Sequence, residues 1–223
     1  MGRLIVIDGL DGSGKATQTQ MLLQHFHRQH LSAKAITFPN YESRSSELVK
    51  MYLNGEIAGT AQEVNAYAAA SFYACDRYIS YLTEWKKDYQ EGSWILADRY
   101  VSSNAIHQMV KLPKAEWDDF LDWIYEYEYH LLGLPRENQL IYLDMDPAIS
   151  HKLLSNRYLG DEWKRDLHER DCNYLLRCRE AAYYAAEKKH WEIVRCDNGV
   201  AACSIPEIFE QIRKKIEVFL SVC

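Results

Sequence analysis

The spacing Gly9-x-x-x-x-Gly14-Lys15 is that of a loop that binds a phosphate anion. Such a loop needs glycine because successive backbone N–H groups, here of Gly9, Gly12, Ser13, Gly14 and Lys15, must converge on one anion. A helix N-terminus behind the loop adds the positive end of its dipole. Lys15 reaches the outer phosphates as a point charge. The alternative is a glycine-rich turn with an ordinary surface lysine. A Ser or Thr hydroxyl after the lysine ordinarily ligates Mg²⁺, but here Ala16 stands there, with Thr17 next. Alanine offers no oxygen, so the metal would take phosphates, water and carboxylates. Asp11 inside the loop is one such carboxylate. Thr17 is a weaker candidate, because a shift of one residue turns a helical side chain by about 100°. Asp98 is a further carboxylate, closing the apolar run Trp94-Ile95-Leu96-Ala97. An acid at the end of a strand beside a phosphate loop lies near the metal in phosphoryl-transfer sites, although it could also serve as a helix cap. Arg99 and Tyr100 follow at once, and Asn104, His107 and Gln108 fall in the next helical turns.

These groups must be positioned by regular elements. The apolar run before Gly9 reads as a buried parallel strand, and Lys15 opens a helix with Met21, Leu22 and Phe26 on its apolar face. A second strand is expected over 33–38, then a helix over 47–53 stopped by Asn54-Gly55. Residues 62–89, free of Gly and Pro, read as one long helix carrying Tyr67, Phe72, Tyr73, Tyr78 and Tyr81. Arg77 sits inside this aromatic stripe, where a buried guanidinium needs a partner. Strands over 94–98, 139–143 and 192–196 alternate with helices over 114–132, from Pro147, over 173–189 and over 205–222. The alternation predicts an α/β domain over residues 1–223, a five-stranded parallel sheet with helices on both faces. Residues 155–171 are dense in both charges, with Arg157, Asp161, Lys164, Arg165 and Glu169 among them. They fit either a solvated helix face or a short lid that carries arginines over a transferring group.

Composition narrows the partners. At 223 residues and a net charge of −6, the chain suits one domain with a generous core and does not suit binding a nucleic-acid polymer. No run has the length of a membrane span and the N-terminus lacks a signal-peptide layout, so a cytoplasmic, unprocessed chain is expected. The six cysteines are scattered without a C-x₂-C pair, as expected of reduced thiols. His25, His27 and His30 read as the polar side of the first helix rather than a metal cluster.

Together these elements resemble the thymidylate kinase family nearly end to end. The resemblance rests on the phosphate loop, Phe38-Pro39, Phe72-Tyr73-Ala74-Cys75-Asp76-Arg77, Asp98-Arg99-Tyr100 with Ser103-Asn104, and the charged segment. It implies a P-loop kinase fold and phosphorylation of dTMP by ATP with Mg²⁺. Tyr73 would stack on thymine where the family usually has phenylalanine, Arg77 would donate to the base carbonyl O4, and Asn104 would read the N3 edge. Phe38 and Gln108 would line the substrate site. Arg99 would hold the monophosphate, Asp11 would lie near the 3′-hydroxyl and phosphate, Asp98 near Mg²⁺, and Tyr100 would wall the site against ribose. Two further positions depart from the family pattern: Ala16, and His107 where tyrosine often lies near the sugar 2′ carbon. Gly12 stands where some members carry a loop arginine, which points to Arg165 of the lid as the catalytic arginine, with Arg157 second. The family is usually homodimeric. A kinase for another nucleoside monophosphate or a deoxynucleoside, and a nucleotide-binding protein without transfer, are the alternatives.

Overall fold

The computed structural model describes residues 1–58, 63–158 and 172–222. Its centre is β1 (Arg3–Gly9), buried from Leu4 onward. Leu4 and Val6 face one core, with Ala70, Phe120 and Ala182, while Ile5 and Ile7 face the other, with Leu22, Phe26 and Ile212. Successive strand residues point to opposite faces, so a continuous apolar run marks a strand covered on both sides.

Four more strands complete the sheet: β2 (Ala33–Thr37), β3 (Trp94–Asp98), β4 (Gln139–Asp144) and β5 (Glu192–Arg195). Their order is β2-β3-β1-β4-β5, and every pairing is parallel. The expected α/β sheet is therefore present. Asp98 is in register with both Ile7 and Thr37. The carboxyl ends of β1, β2 and β3 thus form one edge, the edge at which open α/β sheets bind ligands.

The helices are α1 (Lys15–Arg28), α2 (Glu47–Leu53), α3 (Ala66–Ser80), α4 (Lys86–Gln90), α5 (Ser102–His107), α6 (Trp117–Tyr125), α7 (Pro147–Tyr158), α8 (Cys172–Lys189) and α9 (Ile205–Val222). Helices α1 and α9 cover one face, and α3, α5, α6 and α8 the other. The helix expected over 62–89 is three pieces. It starts later, where the Asn65 side chain accepts from Ala68 N at 2.8 Å and caps α3. A π-helical turn, Tyr81–Trp85, then separates α3 from α4 and ends on the fully buried Trp85. The helix expected over 114–132 likewise reduces to α6, followed by a π-helical turn over Glu126–Leu131. Periodicity finds such helices but not the extra residue of a π turn, which preserves the apolar stripe while shifting its phase. The charged segment with Arg165 lies outside the described residues, as do the contacts of the Arg157 side chain.

Candidate active site

The loop between β1 and α1 takes its shape from two glycines. A Cβ on Gly9 would lie 2.6 Å from Ser13 Oγ and 2.8 Å from the Leu143 carbonyl, so nothing larger fits against β4. Gly14, just before the helix, has φ 92°, in the left-handed region that costs a side-chain-bearing residue. Lys15 is the first residue of α1, and its Nζ turns back to donate to Leu10 O at 2.9 Å, 3.7 Å from Asp11 Oδ1. Burial lowers the Lys15 pKa, helped by the Arg99 charge, while Asp11, Asp98 and Asp8 push the other way.

Arg99 is the hub of the sheet edge. Its guanidinium bonds Asp11, donates to Ser103 Oγ at 3.2 Å, and lies 3.7 Å from Asp8. It also meets His107 Nε2 at 3.0 Å. Arginine has only donors, so His107 accepts there and carries its proton on Nδ1, which lies 3.8 Å from Cys178 Sγ. Burial on its own would raise the Asp11 carboxyl, but the Arg99 and Lys15 charges outweigh it and hold the group well below the usual carboxylate range. Burial works against the Arg99 charge, and Asp11, Asp8 and Asp98 more than restore it. The backbone at Arg99 has φ 67°, a left-handed conformation that a non-glycine residue adopts at a cost.

Farther along the same cavity, Arg77 is buried to 1 % exposure yet carries its charge. Glu128 supplies the partner: Arg77 Nε and Nη2 donate to its two carboxylate oxygens at 2.6 and 2.5 Å, and Nη1 donates to Tyr100 O at 3.3 Å. Asn104 Nδ2 donates to the same carboxylate at 3.0 Å and to Ala70 O at 3.2 Å. Gln108 is buried nearby, its Oε1 without a hydrogen-bond partner among the described residues.

A cavity of about 860 Å³ joins the two ends of the site. Asp11, Gly12, Gly14, Lys15, Ala16 and Thr17 line its loop end. Phe38, Tyr73, Arg77, Asp98, Arg99, Asn104, His107 and Gln108 line the rest. Gly9 and Ser13 lie behind the loop rather than on its surface, Ser13 being fully buried. Tyr100 corrects the expectation that its side chain walls the site. The ring is fully buried outside the cavity lining, 6.0 Å from Phe38 and 6.4 Å from Trp85. Its hydroxyl donates to Pro135 O at 2.9 Å, so its role at the site runs through its backbone carbonyl on Arg77.

Sequence reasoning missed two acids. Asp8, fully buried, accepts from Ser102 Oγ at 2.5 Å, Ser103 Oγ at 2.9 Å and Gly9 N at 2.8 Å, tying α5 to the loop. A carboxylate inside an otherwise apolar strand was the available signal. Glu128 falls four residues after Ile124, on the stripe that should be apolar, which marks an acid needing a cation.

Among the described residues no three His, Cys, Asp or Glu side chains form a metal cage. Asp98 nevertheless fits a metal that keeps most of its ligands as phosphate and water. The residue lines the cavity at the end of β3, and its Oδ1 is buried with no hydrogen-bond partner among the described residues. Burial raises its pKa against the pull of Lys15 and Arg99, as expected of a carboxylate short of a cation.

The chain is similar to known proteins along most of its length. The family profile described as thymidylate kinase matches residues 7–204. A thymidylate kinase of Mycobacterium tuberculosis is 30% identical over 186 residues, covering 82% of this chain and 84% of its own. One from Schizosaccharomyces pombe is 30% identical over 149 residues, 67% of this chain and 64% of its own. A solved structure of thymidylate kinase from Candida albicans superposes with a TM-score of 0.67 over 97% of this chain and 92% of that one. At 22% identity, that likeness concerns the fold. With the profile spanning most of its length and the phosphate loop, Arg99 hub and Arg77–Asn104 pair in one cavity, the chain belongs to the thymidylate kinase family.

Proposed function

We propose that the chain transfers the γ-phosphoryl group of ATP to dTMP, giving dTDP and ADP. One observation carries this reading: a single cavity runs from the phosphate loop past Arg99 to a buried guanidinium and amide that suit a base edge. Loop N–H groups and Lys15 would hold the donor phosphates, Arg99 the acceptor phosphate, and Tyr73 a base face, with Arg77 and Asn104 at its edge. An oxygen of the dTMP phosphate attacks the γ-phosphorus as the bond to the β–γ bridging oxygen breaks and ADP leaves. The attacking oxygen is already anionic, so no general base is needed. Catalysis is then positioning and charge neutralisation. Asp98, with phosphates and water, would hold Mg²⁺, which neutralises phosphate charge.

The described cavity holds three cationic side chains, Lys15, Arg99 and the Glu128-bound Arg77. Gly12 leaves the loop without a fourth, and this supports Arg165 as the arginine that meets the transferring group, with Arg157 second. Arg165→Ala should then lower turnover strongly while leaving dTMP affinity nearly intact. A cytoplasmic location belongs to the same reading, supported by free thiols at Cys75, Cys178, Cys196 and Cys203. So does a homodimer, supported by exposed Ile79 and Leu82 at the end of α3 and the turn after it. No helix among the described residues is long and apolar enough to cross a membrane.

ADP release measured with ATP, Mg²⁺ and each nucleoside monophosphate in turn tests the proposal. Turnover strongest with dTMP and weaker with dUMP is expected. ATP binding without turnover on any monophosphate would instead favour a nucleotide-binding protein without transfer.

A further inference from the structure

We propose that Glu128 is a positioning residue that sets the hydrogen-bonding face of the base end of the cavity, and with it the preference for a 4-oxo over a 4-amino pyrimidine. The inference rests on the kinase reading only in taking that end as the base site.

Glu128 is fully buried in the π-helical turn after α6, while Glu126 in the same turn is exposed. Its two oxygens receive three N–H groups, two from Arg77 and one from Asn104. For Asn104 this decides the orientation of the amide. Both of its partners, the Glu128 carboxylate and the Ala70 carbonyl, only accept, so the NH₂ group must face them. The carbonyl Oδ1 is thereby left without a partner among the described residues, on a side chain that lines the cavity. For Arg77 the carboxylate takes Nε and Nη2 in a fork and Tyr100 O takes Nη1, leaving two of its five N–H groups unpaired. The base end is therefore a donor beside an acceptor.

That pattern has one match among pyrimidines. A 4-oxo base offers an O4 acceptor and an N3–H donor, complementary at both positions. A 4-amino base offers an N4–H₂ donor and a bare N3 acceptor, and mismatches at both. A buried site built for hydrogen bonds rejects an analogue that leaves them unmade. Without the Glu128 carboxylate, the Ala70 carbonyl alone orients the Asn104 amide and Arg77 loses its fork, so the donor-beside-acceptor face that rejects the 4-amino base is less firmly set.

The test uses equilibrium binding and ADP release with dTMP and dCMP on wild type, Glu128→Asp and Glu128→Gln. Aspartate keeps the charge opposite Arg77 and so the fold, but withdraws both oxygens by one methylene. Glutamine keeps the length and turns a donor toward donors. Wild type should bind dTMP far more tightly than dCMP. Each folded variant should lose at least tenfold of that preference, with the dTMP KM raised about tenfold and both kcat and the ATP KM within about twofold. A variant that weakens dTMP and dCMP equally assigns Glu128 a merely structural role and overturns the inference, as does an unchanged preference. Wild type binding both nucleotides alike overturns it whatever the variants do. Wild type that binds dTMP selectively but releases no ADP would defeat the kinase reading alone, and the binding ratios would still decide the role of Glu128.

Discussion

Arg99 and Asp11, 88 residues apart in the chain, form an ion pair at the mouth of the phosphate loop. The pair joins the end of β3 to the end of β1, so the group proposed to hold the acceptor phosphate is aimed before any ligand arrives. Preorganised charge of this kind costs no rearrangement at the moment of reaction.

The pair has a pH signature. In an unfolded chain Asp11 titrates near 4, and in the fold its neighbours hold it lower. Its stabilisation is complete above the unfolded value and is lost as pH falls toward the folded one. Asp11→Asn should remove that dependence. In denaturant melts from pH 3 to 7, the stability difference between wild type and variant should be constant above about pH 5 and shrink below about pH 4. A difference that does not vary with pH would contradict the ion pair.

Asp98 should behave oppositely. Its folded pKa is raised by burial, so its ionised form costs stability, and wild-type stability falls as pH rises from about 4 through the folded value. Asp98→Asn should raise Tm at pH 7, lose that advantage below about pH 4, and lose Mg²⁺-dependent turnover. A variant less stable than wild type at pH 7 would show that Lys15 and Arg99 already satisfy the carboxylate.

Arg99 also stores backbone strain, at φ 67°. Arg99→Ala and Arg99→Gly both delete the guanidinium, and only glycine relaxes the backbone. The glycine variant should be more stable than the alanine variant by about 1 kcal/mol, about 2–4 °C in Tm. Both should lose about 10²–10³-fold in kcat/KM for the monophosphate. Equal thermal stability of the two would remove the strain argument.

Gly9→Ala tests the close packing behind the loop. The added Cβ would meet Ser13 Oγ and the Leu143 carbonyl at under 3 Å, and the latter cannot swing away. A loss of about 1–3 kcal/mol in chemical denaturation is expected, with weaker ATP binding. A neutral substitution would mean that the loop can lift from β4.

What the sequence made legible was local. Glycine spacing with Lys15 located the loop between β1 and α1 and the start of α1, and apolar runs bounded by turn residues located all five strands, Trp94–Asp98 to the residue. What stayed hidden depends on tertiary partners. Arg77 signalled that it needed an acid, but Glu128 lies 51 residues away, and the π turn that aims it inward has no sequence period of its own. Tyr100 sat in the right motif and was assigned the wrong part, because a motif places a residue at an edge without saying which side its ring takes. His107, read as a departure near the sugar, does line the cavity, and its contact with Arg99 was the part that spacing could not show.

The central claim is transfer of a phosphoryl group rather than hydrolysis, and labelled product tests it directly. With ATP labelled in the γ-phosphoryl group, Mg²⁺ and dTMP, the label should appear in dTDP, and Arg99→Ala should slow that transfer about 10²–10³-fold while leaving ATP bound. Label found only in inorganic phosphate, or none released from bound ATP, would contradict the account.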